Sequence, residues 1–182
     1  EELGVEEQAP EPEFITGRTP TQVYELLWRA SYMMDGLTEA TRPSDVFAKQ
    51  KQVVADLEVV ADVLDVGLPS DSKAYEGKEP RDVLMENYVN MYKLARLQRA
   101  LGMDPYYVPP LPGGELTPSN VYDTAGTLIG ELHRIKREFA REVPTPPLQP
   151  VEGKDPSDVY AEAKRVQAGL DALLQAVSAE SP

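Results

Sequence analysis

Counted from a valine, apolar residues recur at 0, 4, 7, 11, 14 and 18 in the clearest segments of this chain. Val159, Ala163, Val166, Leu170, Leu173 and Val177 form one such stripe, and Val121, Ala125, Leu128, Leu132, Ile135 and Phe139 another. Val23, Leu27, Ala30, Met34 and Leu37 give a third; Val46, Val53, Leu57, Val60 and Leu64 give a fourth with Gln50 intruding. Alternating steps of three and four put these residues on one face of an α-helix and predict a bundle with coiled-coil-like packing. The segment after Val83 departs from the pattern, with Asn87 and Asn90 at positions 4 and 7. Buried amides cost about 1–3 kcal/mol each unless hydrogen-bonded. Gln50, Asn87 and Asn90 are therefore candidates for a polar layer that sets register or for the wall of a ligand site inside the bundle.

Each stripe starts just after one phrase: Thr19-Pro20-Thr21-Gln22-Val23, Arg42-Pro43-Ser44-Asp45-Val46, Glu79-Pro80-Arg81-Asp82-Val83, Thr117-Pro118-Ser119-Asn120-Val121 and Asp155-Pro156-Ser157-Asp158-Val159. A capping side chain, proline at the first helical position, then an Asp or Asn near the positive end of the dipole predict a helix start at each proline. The last three intervals between these prolines are about 38 residues, within the range of helical repeats. The fold expected is all-α: a four- to five-helix bundle built from a repeated helix plus a long proline-rich extended loop.

Only a few residues separate the first two helices, which predicts an antiparallel hairpin. The loops 66–78, 103–116 and 141–154 are long and rich in proline, as in Pro109-Pro110-Leu111-Pro112 and Pro144-Thr145-Pro146-Pro147-Leu148. A polyproline-like stretch of about 13 residues rises ~40 Å, and a helix of about 22 residues is ~33 Å long. Such loops can return the chain to the end it left, making successive helices parallel, or cap an up-and-down bundle. They are expected to lie along helix surfaces. Pro109–Pro112 also resembles a ligand for proline-recognising modules, but similar loop sequences elsewhere in the chain favour packing on its own helices.

Positions 5 and 9 lie behind the core face. They hold Trp28 and Tyr32 in the first helix, Tyr88 and Tyr92 in the third, and Gly126 and Gly130 in the fourth. This back face is expected to receive the proline-rich loops or to wall a pocket for a small molecule.

Charge and composition narrow the function. The chain has 182 residues, a formal charge of −13 and no cysteine. Six glutamates lie in residues 1–16, read as an acidic, poorly ordered tail or tether, with 17–182 as a single helical domain. The sign of the charge argues against nucleic acid and anionic membrane surfaces as partners, and no segment has the ~20 apolar residues of a membrane span. The lone His133 has no second ligand for a metal and reads as a surface residue. Arg134, Lys136, Arg137 and Arg141, like Lys93, Arg96 and Arg99, read as cations at helix C-termini. No catalytic motif, metal site or cofactor site is found. The expectation is a non-enzymatic protein acting by binding, as a sensor, accessory or scaffold domain, in a periplasmic or secreted setting, with the cytoplasm as the other compartment. Its partner is a protein or a small molecule, and its sequence fixes neither that partner nor an oligomeric state. The rival is an enzyme relying on carboxylates and tyrosines.

Overall fold

The computed structural model of the chain describes residues 16–17, 19–35, 41–70, 73–113, 116–139 and 143–180. Five helices start at the five prolines: α1 (Pro20–Asp35), α2 (Pro43–Val63), α3 (Pro80–Ala100), α4 (Pro118–Phe139) and α5 (Pro156–Glu180). No strand occurs among the described residues. The chain divides into two units, Glu1–Glu39 with α1 and Ala40–Pro182 with α2 to α5. The expectation was a single domain over residues 17–182; α1 falls in the first unit and is described by itself. The expected hairpin between α1 and α2 turns on residues 36–40, which lie outside the described part.

The cap chemistry at these starts is more uniform than the sequence suggests, because it comes from the third helical residue. The backbone N–H groups of Arg42, Glu79, Thr117 and Asp155 donate to Asp45 (2.9 Å), Asp82 (3.0 Å), Asn120 (2.9 Å) and Asp158 (3.2 Å). In α1, Thr19 N–H donates to Gln22 at 3.1 Å. This is the returning half of a capping box, and a side-chain oxygen acceptor two residues after the proline suffices for it.

In the second unit α2 borders α4 and α5, and α3 borders the same two, so α2 faces α3 across one diagonal and α4 faces α5 across the other. The four prolines Pro43, Pro80, Pro118 and Pro156 line one small apolar depression together with Val46, Val83, Val121 and Val159. All four N-termini therefore lie at one end, and the bundle is parallel. Each connection has to climb the length of a helix, ~31 Å for 21 residues, and the non-helical segments between the helices do so. Leu68 packs within reach of Gly169 on α5, Pro110 accepts a hydrogen bond from Tyr88 of α3 at 3.2 Å, and Pro146 accepts one from Gln52 of α2 at 2.5 Å.

At the N-terminal end the incoming segments are pinned to a neighbouring helix. Lys78 N–H donates to Ser157 Oγ and Lys154 N–H to Ser44 Oγ, both at 3.1 Å, and the hydroxyls of Thr41 and Ser119 are 2.8 Å apart. The ammonium groups of Lys78 and Lys154 lie 4.6 Å above the rings of Tyr160 and Phe47. The stripes of α2 to α5 form one core in which Val53, Leu84, Leu97, Ala125, Leu128, Ala163 and Leu173 are inaccessible. One expectation fails here. Val23 and Leu27, counted as core positions of α1, are exposed, as is Phe139 at the end of the α4 stripe. The loops were expected to touch some of the back-face positions: Pro110 meets Tyr88, whereas among the described residues a Cβ at Gly130 would meet nothing and one at Gly126 only Lys49 at 3.9 Å.

Candidate functional site

Three polar constellations stand out, and they differ in what they can bind. The first is the layer in the core. Gln50, Asn87 and Asn90 are all fully buried. Gln50 Nε2 donates to Asn87 Oδ1 at 2.9 Å, Asn87 Nδ2 donates to Thr124 Oγ1 at 3.0 Å, and the Thr124 hydroxyl donates to Val121 O at 2.8 Å. Asn90 Nδ2 donates to Ala163 O at 2.9 Å. One level of the bundle thus ties α2 to α3, α3 to α4 and α3 to α5. Gln50 Oε1 and Asn90 Oδ1 are buried without a donor among the described residues. The amides close on the helices themselves, which is what a register-setting layer requires.

The second constellation was not expected. Lys136 is 1 % exposed, not a surface cation. Its ammonium pairs with the fully buried Asp56 of α2 and donates to Val143 O at 2.9 Å. Thr145 donates to Asp56 Oδ2 at 2.7 Å, and His133 Nε2 meets Thr145 Oγ1 and lies 3.6 Å from Asp56 Oδ2. His133 is therefore half-buried against a carboxylate, and reading it as a simple surface residue was wrong. His133 Nε2 thus faces the Thr145 hydroxyl, the Asp56 carboxylate and, at 3.4 Å, the Lys136 ammonium. Lys136, Thr145 and Gln52 together hold segment 143–146 onto α2 and α4. A related contact holds the preceding segment: Gln98, fully buried, accepts from Tyr106 N–H at 2.7 Å and donates to Glu131 at 2.7 Å. Gln98 and Lys136 both lie 15 residues after the valine of their helix. That shared offset was the available signal.

The third is a cleft of about 490 Å³ on the outside of α3, lined by Tyr92, Ala95, Arg96 and Arg99 and by Pro105, Tyr106, Tyr107 and Val108 of the segment that follows. Tyr88, one turn above, is buried and bonded to Pro110, so it serves packing. Tyr92 is 58 % exposed and Tyr107 81 %. The side chains of Trp28 and Tyr32 lie outside the described part, so the aromatic residues of the back face are described on α3 alone. Tyr107 was not singled out in the sequence, because no helical period marks a loop residue. Arg96 and Arg99 were assigned to the negative helix end, an explanation that hid their second neighbour. Neither guanidinium group makes an ion pair or hydrogen bond among the described residues, although the Arg99 carbonyl accepts the Gly102 N–H at 3.0 Å.

Among the described residues no group of three His, Cys, Asp or Glu is placed to hold a metal, and no helix is long and apolar enough to cross a membrane. The chain matches no protein-family model, no curated protein and no solved structure.

Proposed function

We propose that this chain acts by binding and not by catalysis, and that its site is the cleft between α3 and residues 105–108. The observation that carries this reading is the pairing of two guanidinium groups, neither in an ion pair among the described residues, with two exposed tyrosine rings in a chain of formal charge −13. Guanidinium forks select carboxylate or phosphate oxygens, and tyrosine faces select a flat or apolar body beside them. The ligand class is an anionic group attached to a ring or apolar side chain. The core layer of Gln50, Asn87 and Asn90 is assigned to register, because four of its six amide nitrogen and oxygen atoms bond from one helix to another. The Asp56–Lys136 pair is assigned to loop anchoring.

On this reading the repeated unit is a helix plus a proline-rich return segment, and its purpose is presentation. A return segment laid on a helix builds a helix-to-loop cleft that an up-and-down bundle with short turns lacks.

The test is an NMR titration with phenyl phosphate and 4-hydroxyphenylacetate, with phenol as the uncharged control. Shifts should concentrate on the Tyr92 and Tyr107 rings and the Arg96 and Arg99 Nε–H groups, with dissociation constants of roughly 1 mM, or about −4 kcal/mol. Arg96→Ala with Arg99→Ala should abolish them. Equal shifts with phenol, or shifts confined to other residues, would overturn the assignment.

A further inference from the structure

We propose that the whole outward face of α3 is a docking surface for an acidic, extended peptide segment bearing apolar side chains; this rests on the cleft reading above and names its partner. Arg81, Met85, Val89, Tyr92, Arg96 and Arg99 follow one another at steps of four, four, three, four and three, the spacing of a single continuous stripe along a helix. All six are exposed, including Met85 at 46 % and Val89 at 38 %, where a soluble bundle would ordinarily place polar groups.

The charges on this stripe have one sign. α3 contains two acids, Asp82 and Glu86. Asp82 accepts the Glu79 N–H of the helix cap at 3.0 Å, and Glu86 pairs with Lys164 of α5 at 3.4 Å. The helix's other cation, Lys93, is paired with Asp171 of α5. Arg81, Arg96 and Arg99 remain without an ion pair among the described residues. These three guanidinium groups bracket two apolar residues and a tyrosine, in a chain of formal charge −13.

Size argues for a peptide over a single ring compound. From Arg81 to Arg99 the stripe is ~27 Å long at 1.5 Å per residue, and a strand of eight or nine residues at ~3.3 Å each covers it. A one-ring anion fills only the cleft at the Arg96 end. An acidic segment with apolar residues between its carboxylates matches the order found here: cation, apolar pair, aromatic, two cations. Complementarity of this kind gives specificity and salt-sensitive association.

The experiment uses the full chain and a fluorescein-labelled peptide of about twelve residues alternating Glu with Leu and Tyr, followed by anisotropy at about 0.1 M and about 1 M salt, where the Debye length falls from ~10 to ~3 Å. A peptide with Lys in place of Glu is the control. The acidic peptide should bind, weaken at least tenfold at high salt, and lose at least tenfold with Arg96→Ala and Arg99→Ala combined. Arg81→Ala with Met85→Ala should weaken the peptide about threefold or more and leave phenyl phosphate binding unchanged. Circular dichroism of each variant verifies that these surface changes leave the fold intact. Phenyl phosphate binding with a peptide that ignores Arg81 and Met85 overturns the extended surface and leaves the cleft standing. Failure of both probes overturns both. Arg81-dependent binding to anionic vesicles without peptide binding overturns the peptide in favour of a membrane surface.

Discussion

The carboxylate of Asp45 accepts the backbone N–H of Arg42 at 2.9 Å and lies 3.4 Å from the Arg42 guanidinium. The backbone hydrogen bond does most to hold its pKa below the ordinary carboxylate value; burial opposes it, and the hydrogen bond and charge of the arginine side chain add to the lowering. A carboxylate whose folded pKa is depressed adds stability above its unfolded pKa, near 3.9, and that contribution disappears as pH falls through the lower folded value. Asn in its place keeps an acceptor and removes the titration, as Asn120 does at the start of α4. The gap in urea midpoint between the native chain and Asp45→Asn should be largest above about pH 5 and close toward pH 3. A gap of constant size across that range would show that the charge contributes nothing.

Among the elements, the core layer sets how the helices pair. Asn87 is its centre, since it accepts from Gln50 and donates to Thr124. Asn87→Leu alone leaves the Gln50 amide buried and unpaired and should destabilise by roughly 1–3 kcal/mol. Replacing Gln50, Asn87 and Asn90 together by leucine should recover much of that loss while blurring the packing, because identical apolar layers no longer distinguish one register from the next. Urea unfolding reads the first effect, and broadened methyl resonances with dye binding read the second. A triple variant with sharp spectra and undiminished stability would show that register is set elsewhere. This layer was legible in the sequence because polar residues interrupt an apolar stripe, and the five helix starts were legible because proline and its neighbours have few other uses. The direction of the helices was not, since a segment long enough to return the chain is also long enough to cap an antiparallel bundle. Lys136 was hidden because a lysine in the last turn of α4 already has a reason to be there. The same local sufficiency hid Arg96 and Arg99. Tyr107 acquires meaning only when its segment folds back over α3.

At the scale of the molecule, a parallel bundle aligns four helix dipoles, so the equivalent of about half a positive charge per helix collects at one end. The prolines there line a single depression, which places the four N-termini close together in an apolar setting. An antiparallel bundle would cancel these fields pairwise. Here three carboxylates, Asp45, Asp82 and Asp158, stand two residues inside their prolines and offset the accumulated charge, while Asn120 supplies only a hydrogen bond. Asp45→Asn, Asp82→Asn and Asp158→Asn can therefore each be made with the cap acceptor retained, isolating the charge. Single variants should cost about 0.3–1 kcal/mol at low salt. The triple variant should cost more than the three singles combined, because each remaining carboxylate also screens the neighbouring helix ends. The excess should shrink at about 1 M salt, where interactions beyond ~3 Å are screened. Urea midpoints at the two salt concentrations measure this directly. Strict additivity with no salt dependence would mean that the four ends do not share a field, and the carboxylates would then be local caps only.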